Sequence, residues 1–258
     1  MRAAYKILLN LLLVSGFLAN ATAQKLPNKQ ETSVYGSNNI NFQAYNHATD
    51  IFYTLSNDNE NLYLTVKAAN HTVIDKIING GITFAINSSG KKDKGEISIT
   101  YPVFEKNNKP GLDLNKTEIE QGLVSSVIQP DSIVKFNNTQ LTNKSKYIMV
   151  IGVKGTDTLI SVYNENNIKA DAKFDNKMDF TCQFSVPLKY LGLEANSQAK
   201  FAYHIILNGE SKLTSKGTIV SASSDNEIVN AKINAEMAEM GKRYAPTDFW
   251  GEYALAKK

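Results

Sequence analysis

The stretch from residue 51 to 102 constrains the fold most, because short β-rich runs alternate there with segments that cannot continue a strand. Ile51-Phe52-Tyr53-Thr54-Leu55 is dense in β-branched and aromatic residues, which suit a pleated, half-buried surface. Ser56-Asn57-Asp58-Asn59-Glu60-Asn61 interrupts it. Short Asn and Asp side chains bond their own backbone and favour a turn. Leu62, Leu64 and Val66 then fall on one face of a second run, as the two-residue period of a strand requires. Thr72 is placed to cap a short helix over residues 73–78, with Gly80 as its stop. Ile82, Phe84 and Ile86 alternate as a third strand. A solvated turn over residues 88–95 leads to Ile97, Ile99 and Tyr101, and Pro102 is expected to end that fourth strand.

The rest of the chain continues in short pieces. Residues 39–42 suit a first short strand, and residues 105–140 are the least regular part. Thr117 and Glu120 form a capping box for a short helix running to Val124 or beyond. Tyr147 to Val153 is a nearly continuous apolar run, expected in a strand covered on both faces. Gly155-Thr156-Asp157 turns the chain into a strand over 158–163. Phe180, Cys182, Phe184 and Val186 face one way, and Asp179, Thr181, Gln183 and Ser185 the other. Residues 187–192 read as one helical turn with Pro187 at its start. Residues 201–207 form a strand, and Ile219-Val220 one more. Ser224 and Glu227 make a second capping box. After it, Val229, Ile233, Met237 and Met240 share one helical stripe that Gly241 should stop. The aromatic tail from Tyr244 to Tyr253 is expected to dock on the body. Many short strands and few helices predict a mainly β fold: an antiparallel β-sandwich, immunoglobulin-like or jelly-roll-like, with a few short helices and a C-terminal helix plus docking tail. No linker divides residues 24–258, which are expected to form a single domain.

The N-terminus reads as an export signal. Arg2 and Lys6 precede an apolar stretch over 7–18, and Ala21-Thr22-Ala23 is a small-x-small cleavage site. The mature chain is thus predicted to begin at Gln24, secreted or periplasmic in a bacterium. The apolar stretch is shorter than the roughly 20 residues a membrane span needs. The 28 basic and 25 acidic residues nearly balance once Arg2 and Lys6 are set aside. That argues against nucleic acid, which calls for Lys and Arg clustered on one face. Cys182 is the only cysteine, so no disulfide can form within the chain and no thiolate metal cluster can be built. Stability must come from the core.

The run YTLSNDNENLYLTVKA, followed by GGITFAINSSGKKDKGEISITYP, resembles the opening hairpins of family 9 carbohydrate-binding modules and their DOMON-like relatives. Residues 168–173 followed by 180–188 resemble the back half of the same family, whose penultimate strand leads into a Pro-Leu step. The resemblance spans most of residues 24–258. It implies a secreted antiparallel sandwich and a carbohydrate partner.

Sugar binding needs an aromatic face for the C–H side of the ring and polar groups for its hydroxyls. Family 9 modules that bind sugar ends use a pair of tryptophans, whereas this chain has one, Trp250. Trp250 and Tyr253 are the candidate carbohydrate-binding residues. The competing reading makes Trp250 a hydrophobic plug and the chain a structural or protein-interaction sandwich at the cell envelope with no sugar site. Catalytic motifs are missing: there is no G-x-S-x-G, H-E-x-x-H, C-x-x-C or G-x-x-x-x-G-K-[ST]. His47, His71 and His204 are scattered, and His204 sits in an apolar strand as a structural histidine would. The chain is therefore expected to be no enzyme and to carry no cofactor. Asn57-Asp58-Asn59-Glu60 lacks calcium-loop spacing and reads as a hairpin turn. Met237 and Met240 read as helix-packing contacts rather than the axial ligands of a DOMON haem.

Overall fold

The computed structural model describes residues 42–93, 95–114, 130–195, 200–210 and 227–256. Two antiparallel sheets make the body. The five-stranded sheet runs in the order β1 (Ala44–Asn46), β2 (Ile51–Asn57), β3 (Asn61–Ala68), β9 (Phe180–Pro187), β8 (Lys169–Phe174). The six-stranded sheet runs β11 (Thr247–Ala254), β10 (Lys200–Leu207), β4 (Ile82–Asn87), β5 (Ile97–Val103), β6 (Tyr147–Ile151), β7 (Leu159–Ser161). The described residues add three α-helices: α1 (His71–Gly80), α2 (Pro130–Lys144) and α3 (Glu227–Tyr244). A 3-10 turn (Leu188–Tyr190) follows β9. The predicted antiparallel sandwich is the fold.

The core lies between the sheets. Leu55, Leu62, Leu64, Val66, Phe180, Cys182, Phe184 and Val186 enter it from the five-stranded sheet. Phe84, Ile86, Ile99, Ile148, Val150, Phe201, Tyr203 and Ile205 enter from the other. Phe84 meets Phe184 across the gap at 6.3 Å between ring centres. A polar contact crosses the same gap, between the hydroxyls of Tyr53 and Tyr203 at 3.2 Å. It satisfies two phenols that could not be buried alone without cost. The Tyr203 ring lies against Gly251 on the neighbouring strand, where a Cβ would come within 2.1 Å of it, so β11 needs glycine there.

Asparagine takes the place of disulfides as a tie between distant segments. Asn57 accepts from the Ala256 amide at 2.8 Å and from the Tyr253 hydroxyl at 3.1 Å. Asn137 and Asn138, adjacent on α2, each pair with a backbone unit as a neighbouring strand would. Asn137 accepts from the Asp113 amide and donates to its carbonyl, at 3.0 and 2.7 Å. Asn138 does the same with Phe174, at 2.7 and 3.0 Å, on the edge strand β8.

Several sequence expectations need correction. Asn70, not Thr72, caps α1: its side chain accepts from the Thr72 amide at 2.9 Å. Gly80 belongs to the helix, and Gly81 (φ 77°) turns the chain out of it. Pro102 does not end β5. It sits in a cis peptide after Tyr101, where the pairing with β6 slips between Thr100 and Val103, and such a bulge is where a strand tolerates proline. Strand β6 alternates between buried Ile148 and Val150 and exposed Ile151, so one face only is covered. Helix α2 was not expected from its weak apolar pattern. Its Ile133, Val134, Asn137 and Leu141 are nevertheless buried. Helix α3 runs through Gly241 to Tyr244, and Val229 and Met237 on its stripe are exposed, because α3 packs mainly on α1 rather than on the core. The Met240 side chain, the export signal, the helix expected from Thr117 and the strand at 219–220 lie outside the described residues. So do residues 39–41 of the first expected strand, and its last residue, Phe42, precedes β1.

Candidate functional site

The outer face of the five-stranded sheet is built of polar rows. Because paired residues in antiparallel strands share a face, the registers place Ser56, Tyr63, Ser185 and Lys169 side by side across four strands. Thr54, Thr65, Gln183 and Asp171 form the next row, and Phe52, Lys67, Thr181 and Lys173 the one after. Lys67 pairs with Asp175 at 3.0 Å and Asp179 at 2.9 Å in the β8–β9 turn. Desolvation works against both Lys67 and Asp175, but their pairing prevails: the ammonium is raised above its ordinary value and the carboxyl held below its own. Asp171 stands exposed on the edge strand, and partial desolvation by its neighbours raises its carboxyl.

At the first row this face opens into a groove of about 670 Å³. Tyr63 and Asn61 from β3, Ser185 from β9, Lys169 from β8, Asn167 from the loop before it and Lys189 from the 3-10 turn line it. The turn between β2 and β3 sets its end wall. Asp58 accepts from the amides of Glu60 and Asn61 at 2.8 and 2.7 Å, which is how its sequence makes a turn. The second Asp58 oxygen accepts from the Tyr63 hydroxyl at 2.6 Å. Burial, together with the Asp58 charge, pushes the Tyr63 phenol up to about 12, so it stays protonated and donates. The Leu188 amide donates to the Glu60 carbonyl at 2.8 Å, which locks the 3-10 turn to the hairpin turn. The groove thus has rigid walls, one anchored aromatic ring, amide and hydroxyl groups, and two lysines.

Trp250 and Tyr253 are not brought together. Both lie on β11, but three residues apart they point to opposite faces. Trp250 is on the outer face of the six-stranded sheet, stacked on His204 with ring centres 4.1 Å apart and planes at 13°. His204 Nε2 in turn contacts Asp248 Oδ2 at 2.6 Å, so this histidine is hydrogen-bonded as expected, though on the outside of its strand. Tyr253 faces inward, edge-on to Phe201 at 5.7 Å, and burial raises its phenol. The aromatic tail does dock on the body, as an edge strand. Sequence reasoning missed Tyr63, Asn61, Ser185, Lys169, Asn167 and Lys189. The available signal was parity: Tyr63 falls between the inward Leu62 and Leu64, on the outward side.

Among the described residues no three His, Cys, Asp or Glu side chains gather as metal ligands. No described helix is long and apolar enough to cross a membrane. Comparison of the chain with family models, curated proteins and solved structures finds no match.

Proposed function

We propose that this chain is an exported, non-catalytic carbohydrate-binding sandwich, similar in role to family 9 modules, whose glycan lies in the groove around Tyr63. The observation that carries the reading is the groove itself. A tyrosine fixed by Asp58 stands among Asn61, Asn167, Ser185, Lys169 and Lys189. A sugar offers a C–H face to an aromatic ring and hydroxyls to amide, hydroxyl and ammonium groups, and Leu188 and Leu193 add apolar surface to the same groove. Trp250 and Tyr253 leave the site in this reading: Tyr253 is a core contact, and Trp250 covers His204 on the opposite sheet.

The test is a panel of soluble polysaccharides in affinity electrophoresis, with oligosaccharides of any retarding class followed by calorimetry on residues 24–258. Saturable binding to one class is expected, with little change in Trp250 fluorescence because that ring is on the other sheet. Silence across the panel would remove the glycan reading.

A second reading, a protein-interaction sandwich, is favoured by the far end of the six-stranded sheet. Ile151 (54% exposed) and Leu159 (48% exposed) stand on its outer face with Met149, which pairs with Leu159. Exposed apolar groups that cluster mark contact surfaces more often than single ones do. Concentration-dependent mass by light scattering that disappears in an Ile151→Lys, Leu159→Lys double variant would support it.

A further inference from the structure

Among the described residues, Lys76 is a group whose surroundings fit its chemistry poorly. It lies on α1 and is only 4% exposed. Its ammonium makes one hydrogen bond, to the Thr247 hydroxyl at 3.3 Å, and no carboxylate of the described residues pairs with it. The neighbouring Asp75 is engaged elsewhere, with Arg243 and with His71. Lys67, by contrast, is more open to solvent and has two carboxylates. A buried charge without a counter-charge is destabilising, and a single long bond to a hydroxyl does not offset that. Desolvation accordingly lowers the Lys76 pKa.

Lys76 and its partner Thr247 line a cavity of about 600 Å³, walled by the turn between β1 and β2, the first half of α1 and the junction of α3 with β11. His47, Thr49, Asp50, Thr72 and Thr247 line it with Lys76. Asp50 is the one carboxylate in the lining, and it is held away from Lys76 by other partners. Its oxygens accept from the Tyr45 hydroxyl at 2.6 Å and the Asn70 amide at 2.9 Å. Its backbone is left-handed (φ 53°), a conformation an aspartate adopts at some cost.

We propose that this cavity is a second binding site, for a small ligand bearing one oxyanion, a carboxylate or phosphate group, which pairs with Lys76 and accepts the hydroxyl proton of Thr247. An ion pair of this kind is charge-assisted and strong where water is excluded. Asp50 disfavours negative charge beyond that one group, so the remainder of the ligand is neutral and hydroxylated, as in an acidic monosaccharide. This site does not depend on the groove at Tyr63, which lies at the opposite end of β3.

The probes are D-glucuronate, inorganic phosphate and neutral D-glucose, each at millimolar concentration, against residues 24–258. Glucuronate, phosphate or both are expected to raise the Tm by about 2–4 °C and to shift the Lys76 side-chain resonance, while glucose does neither. The pattern distinguishes a carboxylate from a phosphate site. Lys76→Met keeps the apolar stem and removes the charge. It should match or exceed the ligand-free Tm of the wild type and lose at least tenfold in anion affinity, whereas Tyr63→Ala should keep the anion response. Should Lys76→Met fail to fold, Thr247→Val and the wild-type lysine resonance read the same contact. The proposal is overturned if neither anion moves the Tm or the resonance, or if Lys76→Met responds to them as the wild type does.

Discussion

The outer faces of the two sheets differ more than their shared interior would suggest. On the five-stranded sheet the outward residues of β3 and β9 are Tyr63, Thr65, Lys67, Thr181, Gln183 and Ser185, all polar or amphipathic. On the six-stranded sheet the outward set includes Trp250, Ala202, Ile206, Ala85, Met149, Ile151 and Leu159, with His204, Thr83 and Thr100 among them. Part of that second face is covered by its own chain: Gly95 lies against Ala85 so closely that a Cβ would come within 2.6 Å. On the polar face the groove leaves Tyr63 and Asn61 half-buried, while Ser185 beneath them is buried. The same alternation that fills the core therefore leaves one sheet a surface for hydroxylated ligands and the other a surface for stacking and docking.

The largest change expected is one that destroys both faces together. Phe184→Ala removes the ring that meets Phe84 across the core, and should cost about 3–5 kcal/mol, measured as a drop in the urea midpoint. A loss under 1 kcal/mol would mean that the sheets do not rely on this contact. The comparison itself is tested by a pair of variants in calorimetry with the glycan the panel identifies. Tyr63→Ala should weaken binding at least tenfold, about 1.4 kcal/mol, while Trp250→Ala should leave it within twofold. The reverse outcome would move the sugar site to the six-stranded sheet and restore the reading of Trp250 as a ligand residue.

The smallest effect sharpens the account of the polar face. Lys67 is raised and Asp175 lowered by their pairing. For Asp175, whose folded value lies below its unfolded one, the contribution is present above about pH 4 and lost as pH falls through the folded value. For Lys67, whose folded value lies above its unfolded one, it is present below about pH 10 and lost as pH rises through the folded value. Partial exposure limits the sum to about 1 kcal/mol. Lys67→Met should thus lower the urea midpoint modestly between these limits and flatten its fall in acid. An unchanged acid limb would show that other carboxylates govern it.

Much of the sandwich was legible in order. Residues 51–66 and 82–101 gave four strands at their observed places because a strand with one buried face must alternate, and Asn-Asp turns must interrupt it. Where alternation was weak, the reading failed. Phe136-Asn137-Asn138-Thr139 is a poor helix former, yet the segment is helical because Asn137 and Asn138 find backbone partners in Asp113 and Phe174, which no local pattern announces. The aromatic tail was seen as docking, but not as the strand that completes the six-stranded sheet, since β-pairing with a segment 40 to 54 residues earlier is a long-range event.

By itself, then, the sequence determined the class of fold, the inward faces of the strands and the absence of a disulfide, because periodicity and composition are local properties. The tertiary structure alone decided the sites. It set Tyr63 beside Ser185 and Lys169 through two strand registers, separated Trp250 from Tyr253 by the thickness of one strand, and buried Lys76 beside Thr247, 171 residues away, without a counter-charge. The first and the last are meetings of side chains distant in sequence. Only the register of the sheets and the seating of the helices bring them within reach of one ligand.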